Sequence, residues 1–400
     1  MGNRSRINNI TVYLLSQSIS IFGASIVQFA IVWYITLSTK SGVMMMVSTI
    51  CGFLPQVFVS FFAGVWADHY SRKMIIIRAN LLSAISTLAL AIFFIVGFDH
   101  IWIILVISAI RSLGAGIQNP ASGALITQLV PKENLLKING VNATIRSIIQ
   151  LASPALSGAL LSIISIKLIF LIDVITAFIG ISLLSFVKIP KHSGKLEKKS
   201  TSIMADLKEG LKYANEQAVI KRLVLYLTFF LILIVPIAQL TPLLVVRVFG
   251  DDVWRITIVE TAFGGGAVIG GILITLWGGM KKLAHTIASA CIVFGIGAIV
   301  LGVADNFIVF CAVIIIIGMG IPFFNTPSTT LIQKTVNQDK IGRINGLTNF
   351  IISSAIPCGM LFFGPLSDYI RIEWLLIFTG ILIVLLGFSL FFDKVLASNS

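Results

Sequence analysis

Charge is what this sequence has least of. Asp, Glu, Lys and Arg make up 11% of its 400 residues, where a soluble domain carries about 25%. Acids are the scarcer sign, 16 against 29 bases, which leaves a formal charge of +13. So few charges cannot dress the surfaces of the two or three soluble domains that length alone suggests. The four cysteines, Cys51, Cys291, Cys311 and Cys358, all fall inside apolar runs without a CxxC pair. They read as small buried fillers, and neither a disulfide framework nor a metal site is expected. A phosphate-binding loop is missing as well, because "SGKLEKK" lacks the preceding glycine and the following Ser or Thr. With no catalytic triad and no cofactor motif, the chain is not expected to be an enzyme.

What is present is oil. Hydrophobic residues form 57% of the chain and its mean hydropathy is +1.01. A membrane span needs about 20 predominantly apolar residues. Runs of that length lie near 11–37, 43–66, 74–97, 101–128, 138–162 and 167–188, then near 220–246, 255–278, 283–304, 307–333, 344–366 and 373–392. The expectation is an all-α integral membrane protein with twelve transmembrane helices. Six form an N-terminal bundle over 1–188 and six a C-terminal bundle over 220–400. The linker between them, 189–219, contains "MADLKEGLKYANEQ", whose helical spacing and turn-by-turn acid–base pairs predict an amphipathic surface helix.

The basic residues are scattered among short connections, with no aromatic-interleaved basic face. They read as topology signals and anionic-lipid contacts, and nucleic acid is not an expected partner. Most of the 29 Lys and Arg fall on the cytoplasmic side if both termini are inside, as the positive-inside tendency requires. Arg4 and Arg6 before an apolar run resemble a signal peptide, but the run is too long and no cleavage pattern follows. It is expected to stay as the first span.

The halves look related. "KINGVNATI", from Lys137, returns as "RINGLTNFI", from Arg343, 206 residues later. At the same offset Asn119 matches Asn325 and Gly114 matches Gly320, and Pro120 has a near counterpart in Pro327. Two pseudo-symmetric six-helix halves are the architecture of a secondary transporter, with a substrate site near the midplane.

Against this oily background "GVWADHYSRK", Gly64 to Lys73, concentrates Asp68, His69, Arg72 and Lys73 between spans 2 and 3. Gly64, Asp68, Arg72 and Lys73 resemble the signature of the major facilitator superfamily, Gly-x-x-x-Asp with an arginine four residues on and a second base. A weaker second-half copy would be "LWGGMKK", where Lys281 and Lys282 keep the bases without the acid. The resemblance implies a latch on the cytoplasmic side that holds one conformation and releases in another; a topology-fixing loop is the alternative. "RSLGAG", from Arg111, resembles the family's arginine motif with its glycines one place off. "SPALSG", containing Pro154 and Gly158, looks like its antiporter motif with serines in place of two glycines. Over its length the chain is similar to the drug-exporting branch typified by Mef-type macrolide efflux proteins, as "GFLPQVFVSFFAGVWADHYSRKMIII" and "IRSLG…NPA" illustrate.

Without an ATP-hydrolysing motif, energy must come from an ion gradient, and acids within spans become the candidates. Glu260 lies in span 8 and Asp173 in span 6, both toward the outside. Keeping a carboxylate charged in such a place is costly, so a bound proton can travel as access alternates; alternatively each acid pairs with a neighbour and fixes helix packing. Spans 1, 4, 7 and 10 line the cavity in the resembled fold. Gln17 and Gln28 lie three turns apart on one face of span 1. Gln118 and Asn119, Gln239 and Asn325 add amides on spans 4, 7 and 10. With Phe22, Phe323 and Phe324 they suggest an apolar cavity with sparse hydrogen-bonding groups, suited to bulky amphiphiles.

The expected protein is a monomeric exporter in a bacterial cytoplasmic membrane, with lipids around it. It moves a lipophilic drug, foremost a macrolide, outward against protons. Export of an endogenous product such as a siderophore remains open. So do a membrane subunit serving an ATP-driven partner and a lipid flippase.

Overall fold

The computed structural model describes residues 3–131, 134–188, 203–337 and 340–398, all within or between helices. The helices are α1 (Asn3–Thr39), α2 (Gly42–His69), α3 (Arg72–Val96), α4 (Ile101–Leu129), α5 (Leu135–Ile163) and α6 (Ile166–Phe186). After the linker come α7 (Ile203–Glu216), α8 (Ala218–Leu233), α9 (Thr241–Val248), α10 (Val253–Trp277) and α11 (Leu283–Val303). The last four are α12 (Phe307–Thr335), α13 (Ile341–Tyr369), α14 (Ile372–Phe391) and the short α15 (Lys394–Ser398).

Among the described residues, eleven segments are long and apolar enough to cross a membrane, α8 and α9 counting as one. The twelfth, α5, has 29 residues like its counterpart α13, but Lys137, Asn139, Asn142 and Arg146 make its first half polar. The repeat seen in the sequence is also a repeat of helices. Phe307, Ile341 and Ile372 open α12, α13 and α14, each 206 residues after the residue that opens α4, α5 and α6.

Local chemistry sets the ends and interruptions. Gly97 ends α3 with φ of 95°, in the left-handed region, and its N–H bonds back into the last turn. Asn306 caps α12 by accepting from the N–H groups of Ile308 (2.8 Å) and Val309 (3.4 Å). The seventh span, read as one run over 220–246, is interrupted. Pro236–Leu240 forms a π-helical turn between α8 and α9, with Pro242 just beyond, because proline cannot extend the regular ladder.

The chain forms two compact units. The first is Met1–Ile35 with Val47–Ser200, and the second is Thr36–Met46 with Thr201–Ser400. The tip of the α1–α2 hairpin thus packs with the second unit, as does α7.

In the first unit Tyr13, Ile76, Leu125, Leu129, Leu184 and Val187 share one buried cluster. The Tyr13 hydroxyl lies 2.5 Å from Ser122 Oγ. In the second, Phe230 stacks on Phe324 with ring centres 4.0 Å apart. That makes Phe324 a packing residue. Glu209 on α7 binds Lys340 Nζ (2.9 Å) and Arg343, which fastens the linker helix to the start of α13. Asp393 accepts from the N–H groups of Val395 and Leu396 and pairs with Arg222 (2.7 Å), which ties α15 to α8.

Candidate functional site

Helix α6 comes close to α1 because Gly180 has no side chain. A Cβ there would lie 2.0 Å from Ser20 Oγ and 2.9 Å from the Ser16 carbonyl oxygen. Ser16 Oγ donates to the Gly180 carbonyl (2.9 Å). Small residues at such crossings let backbones approach where apolar solvent supplies no drive to associate. Pro55 lies inside α2, and the neighbouring Gln56 N–H donates to Ser112 Oγ on α4 (3.0 Å).

These contacts bring together two residues that the sequence singled out separately. Arg111 on α4 forms an ion pair with Asp173 on α6 and donates to Thr87 on α3. The Thr87 hydroxyl donates to Asp173 Oδ2 (2.9 Å), and Arg111 Nη2 reaches the Ala24 carbonyl of α1 (3.3 Å). Four helices therefore converge on one pair of charges, both almost fully buried. The matching positions of the second half hold no such pair. Ile317 and Thr379 stand 206 residues beyond Arg111 and Asp173, and the Thr379 hydroxyl donates to its own helix at Leu375 (2.8 Å).

The ion pair borders a cavity of about 280 Å³ inside the first unit. Gln28, Gln118 and Asn119 line it, together with Arg146 and Gln56. Gln17 is buried and accepts from Gln118 Nε2 (3.0 Å), so it braces one of the lining amides. The wall is richer in polar groups than the sequence suggested, because Ser20, Ser25, Ser83, Ser108 and Ser112 join the amides. In the second unit Gln239 is half-buried in the π-helical turn and Asn325 is exposed.

Glu260 is half-buried in α10 and makes no hydrogen bond or ion pair among the described residues. Pro154 and Gly158 are buried in α5, where Ser157 between them donates to the Ile26 carbonyl of α1 (3.0 Å). Gly64 lies within α2, and the Asp68 side chain lies outside the described residues. Arg72 donates to the Ala124 carbonyl (2.7 Å), and Lys73 to the carbonyls of Ser185 (2.7 Å) and Val187 (2.9 Å). Lys73 thus supplies a positive charge where the end of α6 leaves carbonyls unpaired.

A polar cluster at the other end of the hairpin escaped the sequence reading. Asp368, at the end of α13, accepts from the N–H groups of Gly42 (2.7 Å) and Val43 (3.0 Å) and from Ser41 Oγ (2.7 Å). Arg247 pairs with Asp368 (2.7 Å) and donates to the Lys40 carbonyl (2.7 Å), while Lys40 pairs with Asp251 (2.7 Å). A signal existed: Gly364 to Asp368 repeats the Gly-x-x-x-Asp spacing of Gly64 to Asp68. Among the described residues, no three of His, Cys, Asp or Glu gather closely enough to hold a metal ion.

The sequence pattern of the Major Facilitator Superfamily matches residues 13–360. Macrolide efflux protein A of Streptococcus pyogenes is 29% identical over 370 residues, which cover 92% of this chain and 91% of that protein. Its namesake in Enterococcus faecalis is 30% identical over 319 residues, 79% of this chain and 99% of the other. Among solved structures, a bacterial homologue of the iron transporter ferroportin in an inward-facing state superposes with a TM-score of 0.71. It is 17% identical and covers 97% of this chain and 99% of its own. At that identity the likeness is one of fold.

Proposed function

The chain belongs to the Major Facilitator Superfamily, and from that premise we propose that it exports lipophilic drugs, macrolides foremost, by proton antiport with alternating access. The substrate class rests on the likeness to macrolide efflux protein A along nearly the whole chain. Coupling rests on the geometry: Arg111 and Asp173 form a buried ion pair on the wall of a polar cavity. Charges within a span are expensive and mark ion or proton pathways. A proton arriving at Asp173 neutralises it and releases Arg111, which changes the bonds linking α1, α3, α4 and α6.

Glu260 is the second coupling acid, on the opposite half of the fold. Gln28, Gln118 and Asn119, with Gln17 behind them, are substrate contacts, and so are Gln239 and Asn325. Gly64, Asp68, Arg72 and Lys73 form the cytoplasmic latch, and Pro154 and Gly158 let α5 flex. Both termini face the cytoplasm of a bacterial inner membrane, and the chain works as a monomer.

The test is accumulation of labelled erythromycin in cells that express the chain, with and without a protonophore. Lower accumulation that the protonophore abolishes supports the reading. Glu260→Gln and Asp173→Asn should each remove gradient-driven efflux in everted vesicles. Equal accumulation in expressing and control cells would sink the assignment.

A further inference from the structure

The internal repeat allows one corner of the fold to be compared with its counterpart. In the second half α7 lies against α8 and α13. Its Glu209 binds Lys340 (2.9 Å) and Arg343 at the start of α13. The approach is close, since a Cβ on Gly210 would lie 3.0 Å from the Arg343 carbonyl oxygen. Beside these contacts Ile344 and Leu347 are 0% and 6% exposed. An acid on a partly apolar body, α7, thus covers the corner between the seventh span and α13.

The first half has the same corner with a different surface. Lys137, Ile138 and Val141 stand 206 residues before Arg343, Ile344 and Leu347. The neighbouring span is α1, which opens its half as α8 and α9 open theirs. Here Val141 is 40% exposed and Ile138 is only partly buried. Together with Ile10, Leu14 and Leu15 of α1 they bound a groove of about 540 Å³ within the first unit. Among the described residues no acid lines the groove, and Lys137 makes no hydrogen bond or ion pair. A base that has an acid in one half therefore stands without one in the other, above an open apolar floor.

We propose that the groove between α1 and α5 binds an anionic phospholipid, with its phosphate at Lys137 and an acyl chain along Leu14, Leu15, Ile138 and Val141. The lipid brings to the first half what α7 brings to the second: an acid for the base and an apolar body for the residues beside it. Basic pockets between helices of a membrane bundle bind phospholipid headgroups in this way. The topology proposed above puts this end of the bundle at the cytoplasmic leaflet, the one rich in anionic lipid. A zwitterionic headgroup fits less well, because its ammonium meets no acid in the lining.

The experiment uses the full-length chain in phosphatidylcholine nanodiscs that contain a small fraction of phosphatidylglycerol with a photoreactive group in its acyl chain. Crosslinks should concentrate on 10–15 and 137–145 and should fade when unlabelled phosphatidylglycerol is added. An equally labelled phosphatidylcholine should mark these segments less. Lys137→Ala should weaken the apparent affinity for phosphatidylglycerol about fivefold, the effect of one base at an anionic lipid surface, and Lys137→Arg should keep it. Val141→Trp, which fills the groove, should lower the labelling too; if it fails to fold, the two Lys137 variants carry the test. Equal labelling of wild type and Lys137→Ala overturns the site, as does equal labelling by the two lipids. A synthetic peptide of Ile203–Glu216 separates a lipid groove from a second helix site. Unchanged labelling in its presence supports the lipid, and displacement of the lipid by micromolar peptide overturns it. None of these readouts involves transport, so the lipid site and the export reading stand or fall separately.

Discussion

Arg111 and Asp173 lie 62 residues apart in the chain and form an ion pair whose side chains are 8% and 4% exposed. Burying both charges gains little net stability, because desolvation offsets most of the attraction. Removing one partner is another matter, since the survivor is left buried and uncompensated, at a cost of about 3–5 kcal/mol. Asp173→Leu should therefore lower the melting temperature sharply, while Arg111→Leu with Asp173→Leu recovers most of the loss. The double variant should still fail to pump. Recovery of efflux along with stability would show that the pair serves packing alone. The measurements are detergent melting curves and vesicle efflux for all three variants.

At the other end of the same bundle, Lys73 contributes a smaller effect of the same sign. It donates to two carbonyls at the end of α6, and such a charge at a helix C-terminus contributes about 0.5–1 kcal/mol. Lys73→Ala should cost about that much and speed amide exchange in the last turn of α6. Lys73→Arg, which keeps the charge and the donors, should restore most of it. An alanine variant with wild-type exchange in α6 would contradict this anchoring role.

The helices and the twofold repeat were legible because both are written in long apolar runs and in matched residues at one offset. Arg111 and Asp173 were each conspicuous as charges within spans. Their pairing was not, since nothing local in α4 names a partner on α6. The cavity serines were invisible for a different reason. Serine is nearly neutral on hydropathy scales, and only the fold reveals that Ser20 and Ser108 forgo their own helix carbonyls. Asp368 lies at a helix end, where an acid reads as ordinary surface. Its work is to cap α2, whose first residue is 326 positions away. The grouping of Thr36–Met46 with the second unit was hidden too, because α1 and α2 run unbroken through the boundary.

That cap supports a third prediction. Asp368 satisfies two N–H groups at the start of α2 and also holds Arg247. Loss of an N-cap acceptor costs about 1–2 kcal/mol. Asp368→Ala should destabilise the chain by at least that much and free the α1–α2 connection. A cysteine placed at Lys40 should then react faster with a water-soluble maleimide, while Asp368→Asn, which keeps an acceptor oxygen, gives an intermediate rate. Unchanged labelling in Asp368→Ala would show that the connection is held elsewhere.

The docking of α7 should depend on acid in a defined direction. The hydrogen bond from Lys340, with the charge of Arg343 beside it, holds the Glu209 carboxyl below its ordinary value of 4.5. A carboxyl whose pKa is lower in the docked state stabilises that state fully above its ordinary value. The contribution is lost as pH falls through the lowered one. Amides of Ile203–Glu216 should therefore be protected near neutrality and exchange faster, relative to the intrinsic rate, as the medium is acidified below about 4.5. Raising the salt concentration at neutral pH should act in the same direction, because the pair is partly exposed and screening weakens it. In Glu209→Gln the protection should be lower at neutrality and flat across that acid range. If the glutamine variant keeps the acid-dependent step, Glu209 is not the group that fastens the linker helix to α13.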